Sequence, residues 1–189
     1  MTRFAPLLLL ALAACGDNDP RYLIATPPAT EAPAARAALR VATLEVRQVS
    51  LPAYAAADQI LREEEAGGAL RPVKSALWAD EPSRAMTQRL ADRIAATSTA
   101  EVAAEPWPLA RPAQAEVDVR VSELAARADG RLHLNGQFAI SSYDMVVRER
   151  IVPFAIAVPM NSDAPGAIAQ ATGAAVNALA ARITGTLAR

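Results

Sequence analysis

From Ala115 to Leu124 the chain alternates apolar and polar side chains. Val117, Val119 and Val121 fall on one side; Glu116, Asp118 and Arg120 fall on the other. A period of two is that of a strand with one face buried and one face wet. Such strands belong to antiparallel or mixed sheets rather than to parallel sheets covered on both faces. Asp129-Gly130 follows, a tight-turn pair. Leu132, Leu134, Phe138 and Ile140 then carry the apolar face into a second strand, with Gly136 interrupting the row. Ser141 to Asp144 turn again, and a third strand is expected from Met145 to Ile151, extended by Phe154 to Val158. Pro153 places that strand at an edge or a bend, because proline gives no N–H to a ladder.

A sheet face this apolar needs a cover, and two segments supply one. Met86, Leu90 and Ile94 recur every four residues, the stripe of an amphipathic helix. Asp80-Glu81-Pro82-Ser83 opens it: either acid can cap free N–H groups, and proline fits the first turn. Arg84, Gln88, Arg89 and Arg93 occupy its other faces, and Thr97-Ser98-Thr99 stops it. The second helix starts at Ser162-Asp163-Ala164-Pro165, again read as a cap with an early proline. Ile168, Thr172, Val176, Leu179, Ile183 and Leu187 form its stripe, with Gly173, Ala175 and Ala180 small enough for close packing on a sheet. The expected fold class is α+β: one mixed, mostly antiparallel β-sheet with both amphipathic helices on one face.

The remaining segments fill in around this frame. Arg21 to Ala25 reads as a short strand, residues 26–33 as a proline-rich extended loop, and Leu39 to Val49 as a strand ended by Leu51-Pro52. Two short runs around Gly67-Gly68, Asp58 to Glu63 and Ala69 to Val73, read as a β-hairpin; a helical turn over Ile60 to Glu65 is the alternative. A strand near Ala100 to Ala103 leads into the loop Pro106-Trp107-Pro108.

The N-terminus carries an address. Arg3, the apolar run Pro6 to Ala11, and Leu12-Ala13-Ala14-Cys15 have the layout of a secretory signal peptide, with an apolar middle too short to span a bilayer. A cysteine at the cut resembles the bacterial lipoprotein signal, in which that cysteine becomes the mature N-terminus and carries acyl chains. Residues 1–14 are then the signal peptide, residues 15–20 a short polar tether beginning at lipidated Cys15, and residues 21–189 the domain. The competing reading of Cys15 is an ordinary buried or free thiol. Three acyl chains anchor far more firmly than the single chain that binds reversibly. Gly16 at the next position favours, by the same resemblance, the outer membrane. Cys15 is the only cysteine, so once acylated it leaves no thiol for a disulfide.

Chemistry is sparse. One histidine, His133, lies on the polar side of its strand, and one histidine with no free cysteine makes a zinc site a poor fit. No Gly-x-Ser-x-Gly elbow and no phosphate-cradling Gly-Lys-Ser/Thr loop occurs. Glu63-Glu64-Glu65 reads as a solvated turn rather than an acid–base pair, since adjacent residues do not share a face. A net charge of −1 and a pI near 5.9 aim no long-range field at nucleic acid. No catalytic residue, metal or other cofactor is expected. Trp78, just before a helix, reads as a core anchor. Tyr54, Trp107 and Arg84 are the candidates for partner or membrane contact, each with an ordinary packed or solvated role as the plainer reading.

Leu51-Pro52-Ala53-Tyr54, Asp58-Gln59-Ile60, the glycine hairpin and Leu77-Trp78-Ala79-Asp80-Glu81-Pro82, followed in order by the valine strand, the Asp129-Gly130 turn and the Ala-rich last helix, resemble the ABC-type transport auxiliary lipoprotein family. Paraquat-inducible protein C is a branch of it. Ala55-Ala56-Ala57-Asp58 stands where members often carry Asp-Arg-Pro, a departure that bears on the hairpin's contacts more than on the fold. The resemblance implies a non-enzymatic envelope lipoprotein that docks or aligns a lipid-transport tunnel at the outer membrane and supports membrane integrity. Its implied partners are an MCE-domain protein with its ABC permease and ATPase, the membrane through the N-terminal acyl chains, and further copies of itself in a ring. The alternative is a lipoprotein that binds and shuttles an apolar ligand itself.

Overall fold

The computed structural model describes residues 19–25 and 35–188. The signal segment, Cys15, most of the tether and the proline-rich stretch after Ala25 lie outside the described residues. The chain runs β1 (Arg21–Tyr22), β2 (Thr43–Val46), α1 (Ala53–Ala56), β3 (Gln59–Glu63), β4 (Leu70–Trp78), α2 (Pro82–Thr97), β5 (Glu101–Ala104), β6 (Ala115–Ala126), β7 (Arg131–Ser141), β8 (Arg150–Pro159) and α3 (Pro165–Leu187).

β6 organises one eight-stranded mixed sheet. On one side it pairs along its length with antiparallel β7, which pairs in turn with antiparallel β8. Its other side is shared. β2 lies parallel along its first residues, Leu44 opposite Ala115 and Val46 opposite Val117. β3 joins parallel at its far end, Arg62 opposite Ala126. Between them Arg47 and Ser50 donate backbone N–H groups to Val117 and Val119, and Val121 donates to Ser50. The sheet therefore forks, with β5 outside β2 and the β3–β4 hairpin, carrying parallel β1, outside the other branch. The antiparallel pairs are the long ones; the parallel pairs are short.

α2 and α3 cover one face, as the α+β reading required. Met86, Leu90 and Ile94 of α2 and Ile168, Thr172, Val176, Leu179, Ile183 and Leu187 of α3 are all buried, against Val117, Val119, Leu134 and Phe138 of the sheet. Each such large side chain contributes about 1.5–3 kcal/mol by leaving water. A bulge at Ser122 shifts the register between Val121 and Glu123, so the inward residues change from odd to even numbers and Leu124 faces Leu134. Gly136 sits opposite Val121, where a Cβ would lie 2.2 Å from the Arg120 carbonyl; the gap lets Phe154 stack on Phe138 at 6.4 Å.

Several expected boundaries move. The Leu39 to Val49 strand shrinks to Thr43–Val46, because the next residues follow β6 as single bonds rather than a ladder. Leu51-Pro52 does end it, but Pro52 also starts the short helix α1. The glycine hairpin forms, and β4 runs on to Trp78. Met145 to Ile151 is not a strand up to Arg150: residues 142–149 form a loop, with Met145 at φ 50°. Pro153 does lie on an edge strand, since β8 pairs only with β7. Neither helix is capped as expected. Glu81 and Ala164 hold the cap positions without a side-chain bond, while Asp80 and Ser162 accept from the N–H groups of Glu81 and Ala164 instead. Both prolines do occupy the first turn.

Candidate functional site

The chain enters the body along β4. Leu77 donates to the Pro20 carbonyl at 3.2 Å and Ala79 to that of Tyr22 at 2.9 Å. The next residues cross α3: Ala25 N–H reaches the Ala169 carbonyl at 3.2 Å, and a Cβ on Gly173 would lie 1.8 Å from the Ala25 carbonyl oxygen. Gly173 thus makes room for the entering chain, not for the sheet. Arg89 donates to the Ile24 carbonyl from α2. An open cavity of about 320 Å³ lies here, lined by Tyr22, Ile24, Trp78, Asp80, Arg89 and Asp92 among others. Its wall mixes carboxylates with apolar groups, unlike the mainly apolar lining usual for a lipid-sized ligand.

Of the residues singled out from sequence, Tyr54 and Trp78 come together, and Arg84 and Trp107 lie elsewhere. Trp78 is 7% exposed. Tyr54 is half-buried, its hydroxyl accepting from Leu124 N–H at 3.2 Å, and shares with Trp78 a cavity of about 20 Å³. That volume suits about one water. Arg84 is exposed and pairs with Asp80 one turn earlier. Trp107 is half-buried; its indole N–H donates to the Arg111 carbonyl at 2.7 Å and closes the loop after β5.

Two buried carboxylates were not found by sequence. Glu63, read as part of a solvated run, is 6% exposed. It accepts from Ala128 N–H at 3.0 Å, Gly67 N–H at 2.9 Å and the Arg127 guanidinium at 3.0 Å, joining the β3–β4 turn to the β6–β7 turn. The Ala128 bond first, then Arg127 and Gly67, hold its carboxyl below the ordinary range against the cost of burial. Glu64 and Glu65 remain at the surface, Glu64 pairing with Arg71 at 2.8 Å. Glu45, 9% exposed, lies at the other end of β6, on the wet face beside Glu116. Burial pushes its carboxyl up, and Glu116 and Glu105 add to the push; Arg47 and the Trp107 backbone N–H pull the other way. Arg47 is itself held by Glu105 at 3.1 Å and Glu116 at 3.3 Å. Nothing in the residue order distinguishes these two acids from solvated ones.

The end beyond Glu45 carries the exposed apolar loop. Glu45, Glu116 and Ser141 share one rung of the sheet, and the β7–β8 loop leaves from there. Ser142 is buried; its hydroxyl donates to the Gln114 carbonyl at 2.7 Å and accepts from Val146 N–H at 3.2 Å, while the Glu149 carboxylate accepts its N–H at 3.2 Å. Val147 tucks inward at 4% exposure, yet Tyr143 and Met145 are 84% and 81% exposed. The apolar run Met145 to Val147 after a turn, read from sequence as the start of a strand, was the only trace of this loop.

His133 lies at the opposite end, its Nε2 2.8 Å from Asp129 Oδ2, an interaction that holds Asp129 below its ordinary range. Among the described residues no group of three or more His, Cys, Asp or Glu side chains is placed to hold a metal ion. No helix among them is long and apolar enough to cross a membrane.

A forked mixed sheet of eight strands with two long helices on one face defines an α+β fold. Residues 22–184 match the family of the ABC-type transport auxiliary lipoprotein component, and the chain belongs to that family. A search of curated proteins returned no match. Two crystal structures share the fold. A protein titled only as uncharacterized has a TM-score of 0.68 and 16% identity, covering 82% of this chain and 100% of its own. A Xanthomonas campestris protein of the DUF330 family has a TM-score of 0.63 and 16% identity, covering 88% and 92%. The family is a transport auxiliary component associated with ABC transporter systems, and its lipoprotein character implies a place in the cell envelope.

Proposed function

We propose that this protein is the auxiliary lipoprotein of an MCE-type intermembrane phospholipid transport system, held at the outer membrane by acyl chains on Cys15 and acting by docking or aligning the tunnel rather than by catalysis. In this reading residues 1–14 are removed and residues 15–20 are the tether. The observation that carries it is the family match over nearly the whole domain. The cavities favour docking over ligand shuttling: the one between Tyr54 and Trp78, at about 20 Å³, has no room for an acyl chain, and the open one of about 320 Å³ beside Ile24 is walled in part by the charged groups of Asp80, Arg89 and Asp92. Affinity purification from detergent-solubilised envelopes, with wild-type protein and Cys15→Ser, tests the reading. An MCE-domain protein with its ABC permease and ATPase should co-purify with wild type and be depleted with Cys15→Ser. Their absence from the wild-type sample, or phospholipid bound to a lone monomer, would contradict it.

A further inference from the structure

We infer that the β7–β8 loop is the surface by which this protein grips its protein partner, and that the partner presents an apolar socket edged with carboxylates. The inference rests on the docking reading above and specifies its contact. Tyr143, Met145 and Val146 project from the loop, and Ile151 stands beside them at the start of β8, 66% exposed. An exposed apolar cluster at one place marks an interaction site where scattered apolar residues do not. The loop is also pre-shaped. Ser142, Glu149 and the buried Val147 pin it from inside, so little ordering cost remains on binding. Arg148 and Arg150 follow the apolar tip and make no ion pair with any described residue; of the loop's acids Asp144 lies in the tip and Glu149 is taken up by Ser142 N–H, so the two guanidiniums are the charges a partner's carboxylates would meet.

The position argues for a protein and against the anchoring bilayer. β1 runs parallel to β4, and β4 antiparallel to β3, which runs with β6. Traced backwards from Arg21, the chain therefore leaves toward the Asp129-Gly130 end of β6. The loop lies at the start of β6, where Ser141 pairs with Glu116. Arg21 pairs with Leu77 and Leu77 with Gln59, three residues before the Arg62–Ala126 pair, so about seven residues of β6, or about 23 Å, separate that level from Glu116. From Cys15 to Pro20 the chain reaches at most about 18 Å. By strand direction the tip faces away from the tether, toward whatever crosses the space beyond.

The test places a photoreactive aromatic in the full-length lipoprotein in its own envelope, as Tyr143→p-benzoylphenylalanine, with Gln137→p-benzoylphenylalanine on the exposed face of β7 as reference. Irradiation at position 143 should give a covalent adduct with the MCE-domain protein identified by mass spectrometry, and position 137 should not. Tyr143→Ser with Met145→Ser should lower co-purified partner at least about tenfold while leaving the melting temperature unchanged. Adducts from position 143 with lipid or with a second copy, or none at all, would overturn the inference. If the wild-type complex still contains the MCE-domain protein in that case, the docking reading survives and only the contact is wrong; if it does not, both fall.

Discussion

The two ends of β6 each hold a buried glutamate, and the two are treated in opposite ways. At the turn end Glu63 receives two backbone N–H groups and Arg127, and its carboxyl is held down. At the other end Glu45 is buried beside another carboxylate, Glu116, and its carboxyl is pushed up. A buried charge is tolerated when its partners converge on it and costs stability when they do not. The turn end is therefore braced, two hairpins locked through one side chain. The other end keeps Glu45 beside Glu116, with Arg47 bound to Glu116, and sends the Tyr143–Met145 tip into solvent. The braced turns sit at the end toward which the entering chain points, and the exposed apolar tip sits at the other.

The entering chain gives the largest effect. Gly173→Ala puts a methyl carbon where the Ala25 carbonyl oxygen lies. It should cost about 1–3 kcal/mol in chemical denaturation, and expose the Tyr22–Ala25 segment to limited proteolysis. If neither changes, that segment is not docked on α3. Next comes the brace. Stability from Glu63 is present above the ordinary carboxylate range and is lost as pH falls through its lowered value. Melting temperature measured across the acid range should fall in the wild type; Glu63→Gln should start lower near neutrality and lose part of that acid dependence. An unchanged profile would remove Glu63 from the account.

Glu45 carries the opposite sign. Its raised value means that the protonated form fits the fold better, so its contribution is present at low pH and lost as pH rises through that raised value. Glu45→Gln should be as stable as wild type in acid and more stable near neutrality, with Trp107 fluorescence reporting the loop above it. A neutral-pH loss would show that Glu45 is satisfied like Glu63 and erase the contrast. The smallest effect belongs to the tip. Tyr143→Ser or Met145→Ser should change stability by no more than about 0.5 kcal/mol; a larger loss would mean the tip packs on the body.

Much of the fold was legible in the order of residues. The α3 stripe from Ile168 to Leu187 and the valines of β6 fix their faces by period alone, and all are buried. Trp78 shows where that reading thins: the hairpin was evident, but β4 extends to it because β1 pairs alongside, a contact set by chain path. Met145 to Glu149 shows the limit. Its apolar residues look like a strand, yet Ser142 binds the loop to Gln114 across the sheet. The contrast between Glu63 and Glu45 was invisible, because burial and partners from distant segments decide it, and Arg127 and Glu116 are remote in sequence from the acids they serve.

The proposed function requires acyl chains on Cys15 to hold the module at a membrane. Intact-mass analysis of the protein purified from its native envelope measures that directly. The predicted mass is that of a chain beginning at Cys15 and bearing three acyl chains. A chain that keeps residues 1–14 and carries no acyl group would contradict it.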